Sequence, residues 1–215
     1  MKSARLAQHP RAHAALQYWL GKGYDKARPT DVDESRKGVW FAGGRKVDEE
    51  VTQRFGADVA ALQAGQYEDW GQAYDGLAYV IIADQLSRNV HRGTAASVAL
   101  DERALRRAEA MLASGEAERV RPAHRTWLVM PYMHSEQLTD QQTCVQLCEA
   151  MEAECAALDA GGSAAKMFAA NASFARRHLA VIERFGRFPH RNALLGRQAT
   201  EAEASALSDG SVESF

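Results

Sequence analysis

Three stretches of this sequence set ionisable side chains on apolar helix faces or in tight turns, where they are positioned to do chemistry. In the first, Leu77, Ile81, Asp84 and Arg88 follow one another at spacings of four, three and four. That spacing puts them on one helix face, so the acid and the base continue an apolar stripe. Read structurally, they are a buried ion pair locking helix packing. Read functionally, Asp84 orients Arg88 toward a pocket, with Asn89, His91 and Arg92 following before the turn at Gly93.

In the second stretch, His178 shares a face with Phe174, Val181 and Phe185, the ordinary setting of a satisfied core histidine. Around it, Arg176 to Arg197 holds six arginines and two histidines against one acid, Glu183. The centre of this stretch, Phe185-Gly186-Arg187-Phe188-Pro189-His190-Arg191-Asn192, interleaves rigid rings with guanidinium forks. Such forks match carboxylate or phosphate bidentately, whereas a merely solvated basic face has no need of the rings.

The third stretch is Pro131-Tyr132-Met133-His134-Ser135-Glu136. His134 lies on the face of Trp127 and Pro131, and Glu136 is placed to orient it or to accept from an arginine elsewhere. His134, Ser135 and Glu136 are adjacent in sequence and do not face one another on a helix, so they form no local triad. No His-Glu-x-x-His and no paired-cysteine motif is present, and neither a metal nor a cofactor is expected.

The elements that must position these groups are all helices. Strand alternation is absent, and alanine, leucine, glutamate and arginine dominate. The expected helices run from about Pro10 to Leu20, Val47 to Ala64, Tyr74 to Ser87 and Asp101 (as cap) to Ala113. Three more run from Pro122 to His134, with a kink or early end at Pro131, from Asp140 to Asp159 and from Ala164 to Phe185. A short last one follows a Thr200–Glu203 capping box. The helix from Tyr74 is apolar nearly all round and belongs at the centre of a bundle. Lys22 to Lys37 reads as a long loop, plugged onto the core by Trp40 and Phe41. Short connections favour an antiparallel helical array. Residues 1–207 are expected to form one all-α domain, with 208–215 as a flexible tail.

At 215 residues the chain is long enough for one sizeable core. Its net charge of -2 gives no general field for nucleic acid or an anionic membrane. The longest apolar run, Leu77 to Ala83, is far shorter than a bilayer span, and the first residues carry no signal-peptide core. A soluble, cytoplasmic protein is expected. Cys144, Cys148 and Cys155 fall on one helix and read as core thiols, not as a disulfide framework.

The three stretches also carry a resemblance. Trp70 with Leu77-Ala78, the run Asp84-Gln85-Leu86-Ser87-Arg88-Asn89-Val90-His91-Arg92-Gly93-Thr94, the run Pro131 to Glu136, and His178 through Phe185–Asn192 to Gly196-Arg197 are similar to the bacterial domain-of-unknown-function family 924, also found in some eukaryotes. Tyr18-Trp19-Leu20-Gly21 stands where that family tends to have Trp-Phe-Gly, and Leu86 where phenylalanine is frequent. The resemblance implies a tetratricopeptide-like superhelix without clear repeats. It carries no activity.

The functional expectation therefore rests on the residues. Asp84, Arg88, Asn89, Arg92, Glu136, Arg187, His190, Arg191, Asn192 and Arg197 are expected to bind a small phosphate- or carboxylate-bearing ligand, with His134 and His178 as acid–base groups. A hydrolase or transferase using the two histidines, a module for acidic peptides, and an internal salt-bridge network are the alternatives.

Overall fold

The computed structural model describes residues 7–41 and 43–212, and every regular element among them is helical. Helix α1 (Pro10–Leu20) opens with proline at a position where no amide donor is missed. It stops at Gly21, whose φ of 99° suits glycine. The following loop tightens into a turn at Glu34–Arg36 and then α2 (Lys37–Phe41). Trp40 plugs this segment onto the core as the sequence predicts. Its indole N–H donates to the Trp19 carbonyl (2.9 Å), and its ring lies 5.0 Å from Trp127. Phe41 does not join it and is 79% exposed. Neighbours on a helix point about 100° apart, so Trp40 and Phe41 cannot both face the core.

Helix α3 (Gly44–Gln63) buries Val51, Phe55, Val59 and Leu62 along one stripe. Helix α4 (Ala73–Val80) is buried at all eight positions and lies against α1, α6 (Asp101–Ala113) and α7 (Thr126–His134). It is the central helix its composition predicts. It does not end at Ser87: it widens into a π-helical segment at Ile81–Leu86 and continues as α5 (Ser87–Val90). At the start of α6 the cap position belongs to Leu100, and Asp101 is the first helical residue, with no side-chain cap bond. The Asp101 carboxylate is drawn to Arg88 instead, while still lying at the positive end of the helix.

A turn at Pro122–Arg125 leads into α7, which runs through Pro131 to His134. Its C-terminal carbonyls are gathered by one side chain. The fully buried Gln141 amide donates to the carbonyls of Tyr132 (3.1 Å), Met133 (2.8 Å) and Ser135 (2.6 Å). Gln141 thereby caps α7 from α8 (Leu138–Leu158) and fixes the backbone that carries His134.

Helix α8 folds back through Gly161-Gly162 onto α9 (Ser163–Phe185), and Cys144, Cys148 and Cys155 are buried on its core face. Helix α9 stops at Gly186 (φ 67°). The chain turns at Pro189–Arg191 and reaches α10 (Glu201–Ser208) through the predicted Thr200–Glu203 capping box. Most buried apolar residues form one cluster. A smaller one gathers Val181, Ile182, Phe188, Ala206 and Val212 around the C-terminal turn. Of the expected tail, Val212 is buried in that cluster, and residues 213–215 lie outside those described.

Candidate functional site

The centre is built where the central helix loses α-helical regularity. Asp84 sits in the π-helical segment, fully buried. A π turn closes over five residues instead of four, so it shifts the register of side chains that a straight helix would repeat. Asp84 thereby meets His134 at the end of α7, with its Oδ1 2.6 Å from His134 Nδ1. Gln85 Nε2 donates to Asp84 Oδ2, and Arg88 Nη1 lies 3.3 Å from Oδ1. Burial pushes the Asp84 carboxyl up, but His134 and Arg88 more than offset this and hold it below the usual carboxylate range.

Arg88 is held on both sides. It forms a bidentate fork with Asp101 (2.7 and 2.8 Å) and donates to the Asp84 carbonyl (2.7 Å). Asp101 also lies 3.7 Å from Arg191, so two carboxylates and two guanidinium groups form one continuous cluster around His134. By sequence Asp101 is expected only as a helix cap. Its signal was available, an acid at a helix start, but nothing in the sequence pairs it with Arg88, thirteen residues away.

Arg191 completes the centre. Its Nη1 donates to the His134 carbonyl (2.9 Å), and its guanidinium lies 4.6 Å from the centre of the Phe188 ring. Burial and the nearby Arg88 lower its pKa from the ordinary arginine value. His178 is close by. Its Nδ1 donates to the Phe174 carbonyl (2.8 Å), its ring meets Phe188 edge-on at 5.6 Å, and burial brings its pKa down to about 3. The His190 ring also meets Phe188, tilted to it at 5.5 Å, and burial and Arg191 bring it down to about 4.

Two further clusters fasten the C-terminal turn. Glu136 accepts both arms of Arg197 (2.6 and 2.9 Å) and the Phe188 amide (2.8 Å). Burial raises the Glu136 carboxyl, but Arg197 and that amide pull it below its ordinary value. Glu203 accepts from Arg187 (2.6 and 2.8 Å), from Asn192 (3.2 Å) and from the Thr200 amide (2.7 Å). The Arg187 pairing is the main cause holding the Glu203 carboxyl at about 2. Glu203 was legible from sequence as a cap residue, but its pairing with Arg187 and Asn192 was not.

The expected site residues therefore fall into separate groups. Asp84, Arg88, His134 and Arg191 converge, with His178 and His190 around Phe188 beside them. Glu136 with Arg197, and Arg187 with Asn192, hold the turn that delivers Arg191. Asn89 and Arg92 do not join. Both bind Asp48 of α3 (2.8 Å from Asn89, 2.6 and 2.9 Å from Arg92). They line an open depression of about 490 Å³ with Arg45, Thr52 and Gln53. Neither His134 nor Arg191 lines it. No group of three or more metal-ligating side chains gathers among the described residues, and none of the helices described is long and apolar enough to cross a membrane.

A family model described as a bacterial protein of unknown function (DUF924) matches residues 15–211. A solved structure of a protein of unknown function from Agrobacterium tumefaciens is similar, with a TM-score of 0.73 and 28% identity over 93% of this chain and 97% of that one. A comparison with curated proteins finds no match.

Proposed function

The chain belongs to this family of bacterial proteins of unknown function, and from that premise we propose that it binds a small carboxylate- or phosphate-bearing anion against Arg191 and the outer edge of His134. The observation that carries the reading is the unequal use of the arginines. The forks of Arg88, Arg92, Arg187 and Arg197 each grip a carboxylate. Arg191 instead donates to a carbonyl, and its nearest acid, Asp101, stands at 3.7 Å. Its guanidinium carbon lies 4.6 Å from the centre of the Phe188 ring and its Nη1 is bonded to the His134 carbonyl, so an anion would meet an already positioned fork. His178 and His190, uncharged near neutrality, would bound the site without adding charge.

The test is thermal unfolding in inorganic phosphate and in a panel of di- and tricarboxylates, for the wild type and Arg191→Ala. A ligand present at a hundred times its dissociation constant adds about 2.7 kcal/mol, which is on the order of 5–10 °C for a chain of this size. A shift that is absent in Arg191→Ala supports the site. The same shift in both proteins moves the anion elsewhere, and no shift removes the reading.

A second reading is favoured by the same pairings. With Arg187 and Arg197 committed to carboxylates and Arg191 to the His134 carbonyl, the three would form a clasp that fastens the C-terminal turn to α10 and to the end of α7. Under that reading Arg191→Ala lowers stability and no anion restores it. An acidic peptide that protects the wild type where small anions do not would instead favour a protein partner.

A further inference from the structure

His134 has the surroundings of a working imidazole, not of a structural one. Its Nδ1 is fixed by a fully buried carboxylate at 2.6 Å. That carboxylate also receives Gln85 and faces Arg88, so it is a committed acceptor and Nδ1 carries the shared proton. In the neutral form of the ring Nε2 then carries the lone pair, and among the described residues no hydrogen bond reaches Nε2. The His134 side chain as a whole is 19% exposed. The backbone of His134 is immobilised twice, by Gln141 on the adjacent carbonyls and by Arg191 on its own.

We propose that His134 is a proton acceptor acting through Nε2, with Asp84 as its positioning residue. Its substrates would carry a carboxylate or phosphate beside an ester bond attacked by water. The choice of substrate class rests on the anion site proposed above; the reactivity of Nε2 does not. In that hydrolysis, Nε2 takes a proton from water as the water oxygen bonds to the carbonyl carbon or phosphorus. The ester C–O or P–O bond breaks, and the imidazolium returns that proton to the leaving alkoxide. The products are an acid and an alcohol, and no oxidant or reductant is involved. General base catalysis of this kind contributes about 10²–10⁴-fold.

The reactivity can be read without knowing the substrate. Diethyl pyrocarbonate is attacked by an unprotonated imidazole nitrogen: an N–C bond forms, and ethyl carbonate leaves to give ethanol and carbon dioxide. Site-by-site rates would be followed by mass spectrometry on the intact wild type, with His9 as the internal reference. The His9 side chain is 42% exposed against 19% for His134, so accessibility alone makes His9 the faster. The proposal expects His134 to react at least as fast as His9. It also expects Asp84→Asn to slow His134 while leaving His9 unchanged. If that variant does not fold, the ¹⁵N shifts of the wild-type imidazole report the same thing, with protonated Nδ1 and bare Nε2. His134 reacting more slowly than His9 overturns the proposal, as does the opposite tautomer. Inorganic phosphate separates this from the anion site. A reactive His134 that phosphate fails to protect leaves the proton acceptor standing without the site. A thermal shift in phosphate with an inert His134 does the reverse.

Discussion

Asp84 is the residue on which the centre depends most directly, because three donors from three positions converge on a carboxylate with no exposure to water. A buried carboxylate with matched partners adds little net stability over an apolar residue, but removing one member strands the others. Asp84→Ala is therefore expected to destabilise the fold by about 3–5 kcal/mol in urea unfolding, since Arg88 and His134 lose their buried acceptor. Replacing exposed Arg92, whose partner Asp48 keeps Asn89, is expected to stay below about 1 kcal/mol in the same measurement. Comparable losses at the two positions would show that burial does not separate these pairs.

The element that the pairings organise is the turn after α9, which brings Phe188 and Arg191 to the end of α7. Its apolar support is the small cluster of Val181, Ile182, Phe188, Ala206 and Val212, so polar anchoring carries much of the rest. Glu136→Gln removes the charge that holds Arg197 and weakens the acceptor for the Phe188 amide. A hydrogen bond to a charged group contributes about 1.5–3 kcal/mol, and here the loss should be local. Amide exchange of Phe188 and its neighbours is expected to accelerate, while amides of α4 keep their protection. Uniform acceleration across both would show that the turn does not open by itself. At the other end of the turn, Thr200→Ala removes the acceptor for the Glu203 amide. A loss of about 1 kcal/mol in unfolding measurements is expected from the cap.

Across the whole molecule the buried ionisable groups fix the sign of the pH dependence. Burial holds His124 and His178 at about 3, against 6.5 for a free histidine. Between those values the unfolded chain binds protons that the folded chain does not, so stability falls as pH drops from about 6.5 toward 3. Glu203 is held at about 2 by Arg187, against 4.5 when free. Its contribution is complete above 4.5 and is lost as pH falls toward 2. Asp84 and Glu136, also lowered, act in the same direction. Urea midpoints should therefore be level between about 7 and 8, decline below about 6.5 and decline more steeply below about 4.5. His178→Gln should shrink the first decline and leave the second. A midpoint that rises on mild acidification would contradict this sign.

Much of this was legible from local pattern. The apolar run around Leu77 to Ala83 required a central helix, the Thr200–Glu203 box and the Gly186 stop placed helix ends, and the Asp84–Arg88 spacing required a contact on one face. These follow from short-range rules, because helix periodicity, capping and left-handed turns involve residues only a few positions apart. Partner choice across the fold was not legible. Asp101 looked like a cap and became the second clamp on Arg88, and Glu136 found Arg197 sixty-one positions away. Asn89 and Arg92 turned to Asp48 on α3 and away from the centre. The π-helical segment was invisible too, since its composition is that of an ordinary apolar helix. Local sequence determined the helices and the faces that carry charge. Which acid each base meets depended on tertiary packing, because a long arginine side chain can satisfy its fork with any carboxylate the fold brings within reach.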